Sequence, residues 1–260
     1  MLRTVTATRY VIPLREGSSL PAIVEADDLG LYVVKFRGAG QGILALIAEL
    51  IAGEIGRALG LRVPEIVCIQ IDGTLGRNEP DYAIRQLLKA SSGLNLALDY
   101  LPGSVPFDPA ARDTASPEEA SLAVWLDAFM LNVDRTAKNA NLLMWHRKLY
   151  LIDHGAALYV HHNWAGMQEK TGAPFGEIRN HILLPWASGI EEAGKTAHEK
   201  LTSEKIAEIA GWIPEEWLAS ISGTMSVDDR RAGYIKFLTE RLNSSHSFEQ
   251  EAMDARTRLV

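Results

Sequence analysis

Residues Asn132 to Ala157 read NVDRTAKNANLLMWHRKLYLIDHGAA. Asp134 is followed five residues later by Asn139, then by two apolar runs, Leu142-Leu143-Met144-Trp145 and Leu149-Tyr150-Leu151-Ile152, and then by Asp153 before His154-Gly155. The two runs have the pattern of a hairpin, which would bring together two short turns rich in acid and amide side chains. Each residue type has a chemical reason to be there. A carboxylate at hydrogen-bond distance orients an attacking hydroxyl and accepts its proton, and Asp134 at the head of a loop suits that role. Magnesium keeps several waters and takes one or two protein oxygens plus phosphate oxygens, so the Asp153 carboxylate and the Asn139 amide are suitable ligands. Gly155 gives the backbone after Asp153 a freedom that a side chain would restrict.

The set therefore reads as a phosphoryl-transfer site, and its order is similar to that of protein-kinase-like sites: catalytic aspartate, asparagine ligand, hairpin, second aspartate, then glycine. Asp and Asn are also common turn residues, and an isolated Asp-x4-Asn arises by chance. The whole ordered set, with strand patterning between its halves, carries the reading.

Composition sets broad bounds. The 260 residues are enough for one large domain or two packed lobes with a substantial core. Charged residues at 23% and hydrophobic ones at 47% are ordinary and argue against long disorder. A net charge of −7 gives no support for nucleic-acid binding through phosphate contacts. Cys68, the single cysteine, lies in Ile66-Val67-Cys68-Ile69, which suggests a buried inert thiol and a reducing compartment. MLRTVTATRY lacks the apolar stretch of a signal peptide and no segment has the length of a membrane span, so the expected location is cytoplasmic, with no membrane partner.

Strand patterns cover Thr4 to Leu14, Ala22 to Ala26 and Leu31 to Phe36, with Asp27-Asp28-Leu29-Gly30 as a turn between the last two. Leu44, Ile47, Ile51, Ile55 and Ala58 recur at helical spacing up to Gly60. Glu65 to Ile71 reads as a strand, Glu79 to Ala90 as a helix and Leu94 to Leu101 as a last strand. The Pro-, Gly-, Asp- and Ser-rich segment 102–117 reads as a connection between lobes, dividing the chain into 1–103 and 104–260. Beyond it, Ser116 caps a helix expected to run from Pro117 to about Asn132, and further helical patterns include 215–221 and 228–242. The expected fold class is α+β: a small β-rich N-lobe and a larger, mainly α C-lobe.

With these turns and this lobe order, the chain resembles the HipA-like kinases, a branch of the protein-kinase-like superfamily. The resemblance runs from about Tyr32 through Ala157 and is strongest in NVDRTAKNANLL and LIDHGAAL. That branch, like the phosphatidylinositol kinases, has Asp-Arg where ordinary protein kinases have His-Arg-Asp, as in Asn132-Val133-Asp134-Arg135. The resemblance implies ATP and Mg2+ as cofactors and a protein serine or threonine as acceptor, with a small molecule or lipid as the alternative acceptor. A pseudokinase that binds nucleotide without transferring phosphate is the rival from another functional class. The resemblance also implies that Lys35, in Tyr32-Val33-Val34-Lys35-Phe36, holds the nucleotide phosphates, that a hinge at Asp99 to Gly103, with Tyr100 and Leu101, meets the base, and that Leu14 to Ser19 covers the phosphates. Ser18 and Ser19 are then candidates for autophosphorylation. The partner of Lys35 is Glu49 or Glu54; family similarity favours Glu49, helical phase favours Glu54, and Glu49 is taken here.

Four histidines invite a metal reading and do not support one. His161 and His162 are adjacent, and on a strand adjacent side chains would point to opposite faces; neither a Cys cluster nor His-Glu-x-x-His accompanies them, His154 or His181. His154 is expected to pack where other kinases have phenylalanine. Trp164 and Trp186 are expected in the core or in a groove.

Overall fold

The computed structural model describes residues 2–14, 20–40, 42–77 and 79–259, Ala165 by its backbone alone. Five strands, β1 (Thr4–Pro13), β2 (Ala22–Ala26), β3 (Leu31–Lys35), β4 (Ile66–Ile71) and β5 (Gly93–Asp99), close into a barrel in the order β1-β2-β3-β5-β4. Closure comes from a parallel pairing of β1 with β4, Thr4 opposite Cys68 and Val5 opposite Ile69. Period-two alternation sorts the side chains of β3. Tyr32 and Val34 point into the barrel core with Val24, Val67 and Ala97, and Val33 and Lys35 face the other way into a cleft.

Helix α1 (Gly42–Leu59) joins β3 to β4, and α2 (Tyr82–Ala90) joins β4 to β5. Helix α2 starts later than the expected Glu79, because the Asp81 side chain accepts the N–H groups of Ala83 and Ile84 at 2.8 and 3.3 Å and so fixes the N-cap. Helix α1 packs between β4 and β5 on one side and the helices of the other lobe on the other: every residue from Leu46 to Gly56 is buried.

The connecting segment after β5 holds more structure than its composition suggests. Val105 and Pro106 form a short strand, β6, paired with β7 (Leu142–Trp145), which pairs with β8 (Lys148–Leu151) to give the expected hairpin. Between them, α3 (Pro117–Phe129) is buried throughout its last ten residues, Ala120 to Phe129. The Ser116 hydroxyl accepts the Glu119 N–H at 3.1 Å and caps its start. Helix α3 ends at Phe129, short of the expected Asn132. The fully buried Arg241 guanidinium accounts for this, taking the carbonyls of Ala128 and Phe129 at 2.7 Å each, and Leu131 then reverses the chain at φ 55°.

The remaining helices are α4 (Trp164–Met167), α5 (Ile190–Lys200), α6 (Ser203–Gly211), α7 (Glu215–Ser220), α8 (Val227–Asn243) and α9 (His246–Thr257). His161 and His162 lie in a 3-10 turn, Tyr159–His162, and not on a strand; the His161 Nδ1 is 3.0 Å from the Tyr234 hydroxyl. Trp186 packs edge-on against Phe107 in the core and Trp164 against Tyr234. The whole is an α+β fold of two lobes, β-rich and then mainly helical. Among the described residues no helix is long and apolar enough to cross a membrane.

Candidate active site

Lys35 points from β3 toward α1, and its ammonium donates to Glu49 Oε2 at 2.7 Å and to Asp153 Oδ1. Burial alone would raise the Glu49 carboxyl, but the charge of Lys35 and then the His154 hydrogen bond outweigh it and hold the group down at about 2. Burial likewise pulls the Lys35 ammonium down, and the two carboxylates more than reverse this. Glu54 does not reach the lysine and lies 3.5 Å from Arg57. Helical phase misjudges the pair because α1 is walled in by α3, α5, α6 and α7, leaving no solvent face along 46–56 to read a phase from. The wall crosses between lobes: the buried Trp217 of α7 donates Nε1–H to the Leu94 carbonyl of β5 at 3.0 Å, and Glu216 pairs with Arg37 at 2.9 Å.

The loop after α3 carries Asp134. Its Oδ2 accepts from Asn139 Nδ2 at 2.9 Å and, more weakly, from Asn141 Nδ2 at 3.4 Å. Beneath it lies a buried polar bracket. Asp127, on α3, accepts from Arg135 Nε at 2.5 Å, from His181 Nε2 at 2.9 Å and from Asn132 Nδ2 at 3.0 Å. The His181 Nδ1 accepts the Leu183 N–H at 3.0 Å, so its proton sits on Nε2 and the ring is neutral, as burial also favours. Burial would raise Asp127, but the Arg135 charge and the His181 bond hold it well below the usual carboxylate range. Arg135 then donates to the carbonyls of Asn141 and Ile152, the latter at 3.1 Å, and so ties the Asp134 loop to the strand end that leads into Asp153.

Asp153 follows β8 in a left-handed conformation, φ 54°, which aspartate tolerates better than most side chains. His154 behind it is fully buried, its Nδ1 3.4 Å from Glu49 Oε1. Between the lobes runs a cleft of about 770 Å³, a size suited to a cofactor. Val33, Leu98, Leu143 and Ile152 supply apolar walls, Asp99 to Leu101 form one side, and Lys35, Asn139, Asn141 and Asp153 supply polar groups. The donors offered to a cation are a partly exposed carboxylate and two amides, all hard oxygen ligands, which fits magnesium.

Lys35, Glu49, Asn139 and Asp153 thus converge, with Asp134 one hydrogen bond beyond Asn139. Ser18 and Ser19 lie outside the described residues. Sequence reasoning gave no role to Asp127, Asn132, Asn141 or His181. Asp127 carried a signal, an acid inside the apolar run Val124-Trp125-Leu126-Asp127-Ala128-Phe129; His181 carried none, since only the fold brings it to α3.

A strand lysine held by a helix glutamate in a β-rich lobe, facing paired loops on either side of a hairpin in a helical lobe, defines a protein-kinase-like architecture. A family model described as HipA-like kinase matches residues 9–250, and the chain belongs to that family, which makes it a phosphotransferase by descent. Among solved structures, the Helicobacter pylori proinflammatory kinase CtkA is similar at a TM-score of 0.54 and 13% identity, over 99% of both chains, a likeness of fold. The Golgi casein kinase with Mn/ADP bound has a TM-score of 0.47 at 10% identity, covering 94% of this chain and 73% of that one. No curated protein matches the chain.

Proposed function

We propose that this kinase transfers the γ-phosphate of ATP, with magnesium, to a serine or threonine hydroxyl of a protein substrate. The observation that carries the reading is the meeting of Lys35, Glu49 and Asp153 at the polar part of an otherwise apolar cleft. Adenine fits between Val33 above and Leu143 and Ile152 below. Along the hinge, the Asp99 and Tyr100 N–H groups are already bonded to Glu65 and Leu31 carbonyls at 2.8 and 2.9 Å. Among the described residues the Leu101 N–H has no such partner, so it is the donor available to the base edge. Lys35 would neutralise phosphate charge, with Glu49 keeping the ammonium in place when Asp153 turns to a cation. Asp153 and Asn139 would hold magnesium, which draws charge from the phosphoryl oxygens when bound.

Asp134 receives both of its amide donors on Oδ2, leaving Oδ1 to accept the proton of the acceptor hydroxyl. A net charge of −7 and a single buried thiol go with a cytoplasmic protein that acts on neither nucleic acid nor membrane, with its lobes divided after Gly103. The test is incubation with γ-labelled ATP and magnesium, alone and with cell extract, followed by identification of the labelled species. Phosphoserine or phosphothreonine in protein is expected; label only in a small molecule or lipid would move the acceptor class, and no transfer to any acceptor would count against activity.

A further inference from the structure

The second asparagine of the Asn139-Ala140-Asn141 stretch has a place in the site that its sequence position does not announce. Asn141 stands immediately before β7, at the left-handed φ of 49°, and lines the cleft together with Ile152 and Asp153. Its backbone is held from two directions. The Asn141 carbonyl accepts the Ile152 N–H at 3.1 Å and also the Arg135 guanidinium, so its position is fixed relative to the residue that precedes Asp153. Its side-chain nitrogen is used on Asp134, donating to the main-chain carbonyl at 3.3 Å and to Oδ2 at 3.4 Å. An amide whose nitrogen is committed offers its oxygen as the remaining group, and among the described residues nothing donates to Asn141 Oδ1.

Asn139, by contrast, is exposed and belongs to a tight turn in which it and Thr136 exchange backbone hydrogen bonds at 2.9 and 3.1 Å. Among the described residues no three His, Cys, Asp or Glu side chains gather as a metal site, so a hard cation here depends on amide and phosphate oxygens beside Asp153. We propose that Asn141 is an oxygen ligand of the divalent cation carried by the nucleotide phosphates, sharing that ion with Asp153. Asn141 then does two things at once: its nitrogen orients Asp134 and its oxygen fixes the cation, which sets the distance between acceptor hydroxyl and phosphate. This rests on reading the cleft as a nucleotide and cation site.

The test uses two variants that both tolerate a left-handed backbone, Asn141→Gly, which removes the side chain, and Asn141→Asp, which keeps an oxygen and loses the donor. ADP is titrated calorimetrically into the full chain with and without magnesium, so that the readout is binding and not turnover. In the unaltered chain magnesium should tighten ADP binding. In Asn141→Gly this tightening should fall by about tenfold or more, while metal-free binding stays the same. Asn141→Asp should keep the metal-dependent gain even though its phosphotransfer drops. Should Asn141→Gly not fold, loss of the gain in Asn141→Asp overturns the proposal on its own. If Asn141→Gly keeps the full magnesium effect, Asn141 is not a ligand, although the cleft reading stands. If the unaltered chain shows no magnesium effect, the cleft reading and this proposal fall together.

Discussion

Replacing Arg135 with methionine should destabilise the fold far more than a surface change, and the structure sets the size of the effect. The guanidinium is fully buried and, among the described residues, is the one cation bonded to Asp127, itself fully buried. His181 contributes a neutral N–H and Asn132 an amide, so without Arg135 the carboxylate keeps two hydrogen bonds and no compensating charge. Removing one member of such a buried pair typically costs about 3–5 kcal/mol. The Ile152 carbonyl loses the Arg135 donor as well, whereas the Asn141 carbonyl retains the Ile152 N–H. Removing the charge from both partners, with Arg135→Met and Asp127→Asn together, should cost less than the two single changes added, by roughly 1–3 kcal/mol of coupling. Urea unfolding followed by tryptophan fluorescence gives all four corners of the cycle. A single Arg135→Met variant within about 1 kcal/mol of the parent, or strict additivity, would refute the bracket as a coupled unit.

Asp153→Ala should weaken magnesium-dependent nucleotide binding on the order of a hundredfold and Asn139→Ala roughly tenfold, because a carboxylate brings full charge to the ion and an amide only a dipole; equal losses with and without magnesium, measured by calorimetry, would count against both ligand roles. Burial lowers His161 from 6.5 to about 3, with His162 adding to the effect. The unfolded chain therefore binds a proton below 6.5 that the folded one refuses until about 3, and stability should fall by about 2 kcal/mol between pH 7.5 and pH 5 from this group. His161→Phe should reduce that slope in urea titrations, leaving one of the same sign from the buried, neutral His181. Ser18 or Ser19 should acquire phosphate on incubation with ATP, adding about −1.5 to −2 charges to the loop expected from sequence to cover the phosphates and lowering activity; mass spectrometry that finds neither serine modified in active protein disposes of this.

The parts of the fold visible in sequence were those that local pattern controls. The strand over Leu31 to Phe36 was legible from its β-branched and aromatic residues, and the Ser116-Pro117-Glu118-Glu119 start of α3 followed from capping chemistry. The paired turns around the hairpin were legible because Asp134, Asn139 and Asp153 stand at its two ends. What failed was what tertiary contact decides. Helical phase named Glu54, since a wheel presumes one wet face and α1 has none between Leu46 and Gly56. The end of α3 was misjudged because Arg241, more than a hundred residues away, caps it. The connection at 102–117 looked irregular, and only pairing with β7 makes Val105 and Pro106 a strand. His181 joins the site through contacts that no nearby residue foretells.

The most direct measurement of the central claim is transfer of labelled phosphate by Asp134→Asn beside the parent chain, with ADP affinity measured on the same samples. The substitution keeps the size of the side chain and removes the carboxylate proposed to take the proton from the acceptor hydroxyl. Transfer should fall by about 10²–10⁴-fold, with ADP bound as tightly as before. Undiminished transfer by pure Asp134→Asn would contradict the assignment of Asp134 as the catalytic base and, with it, the account of how this cleft works.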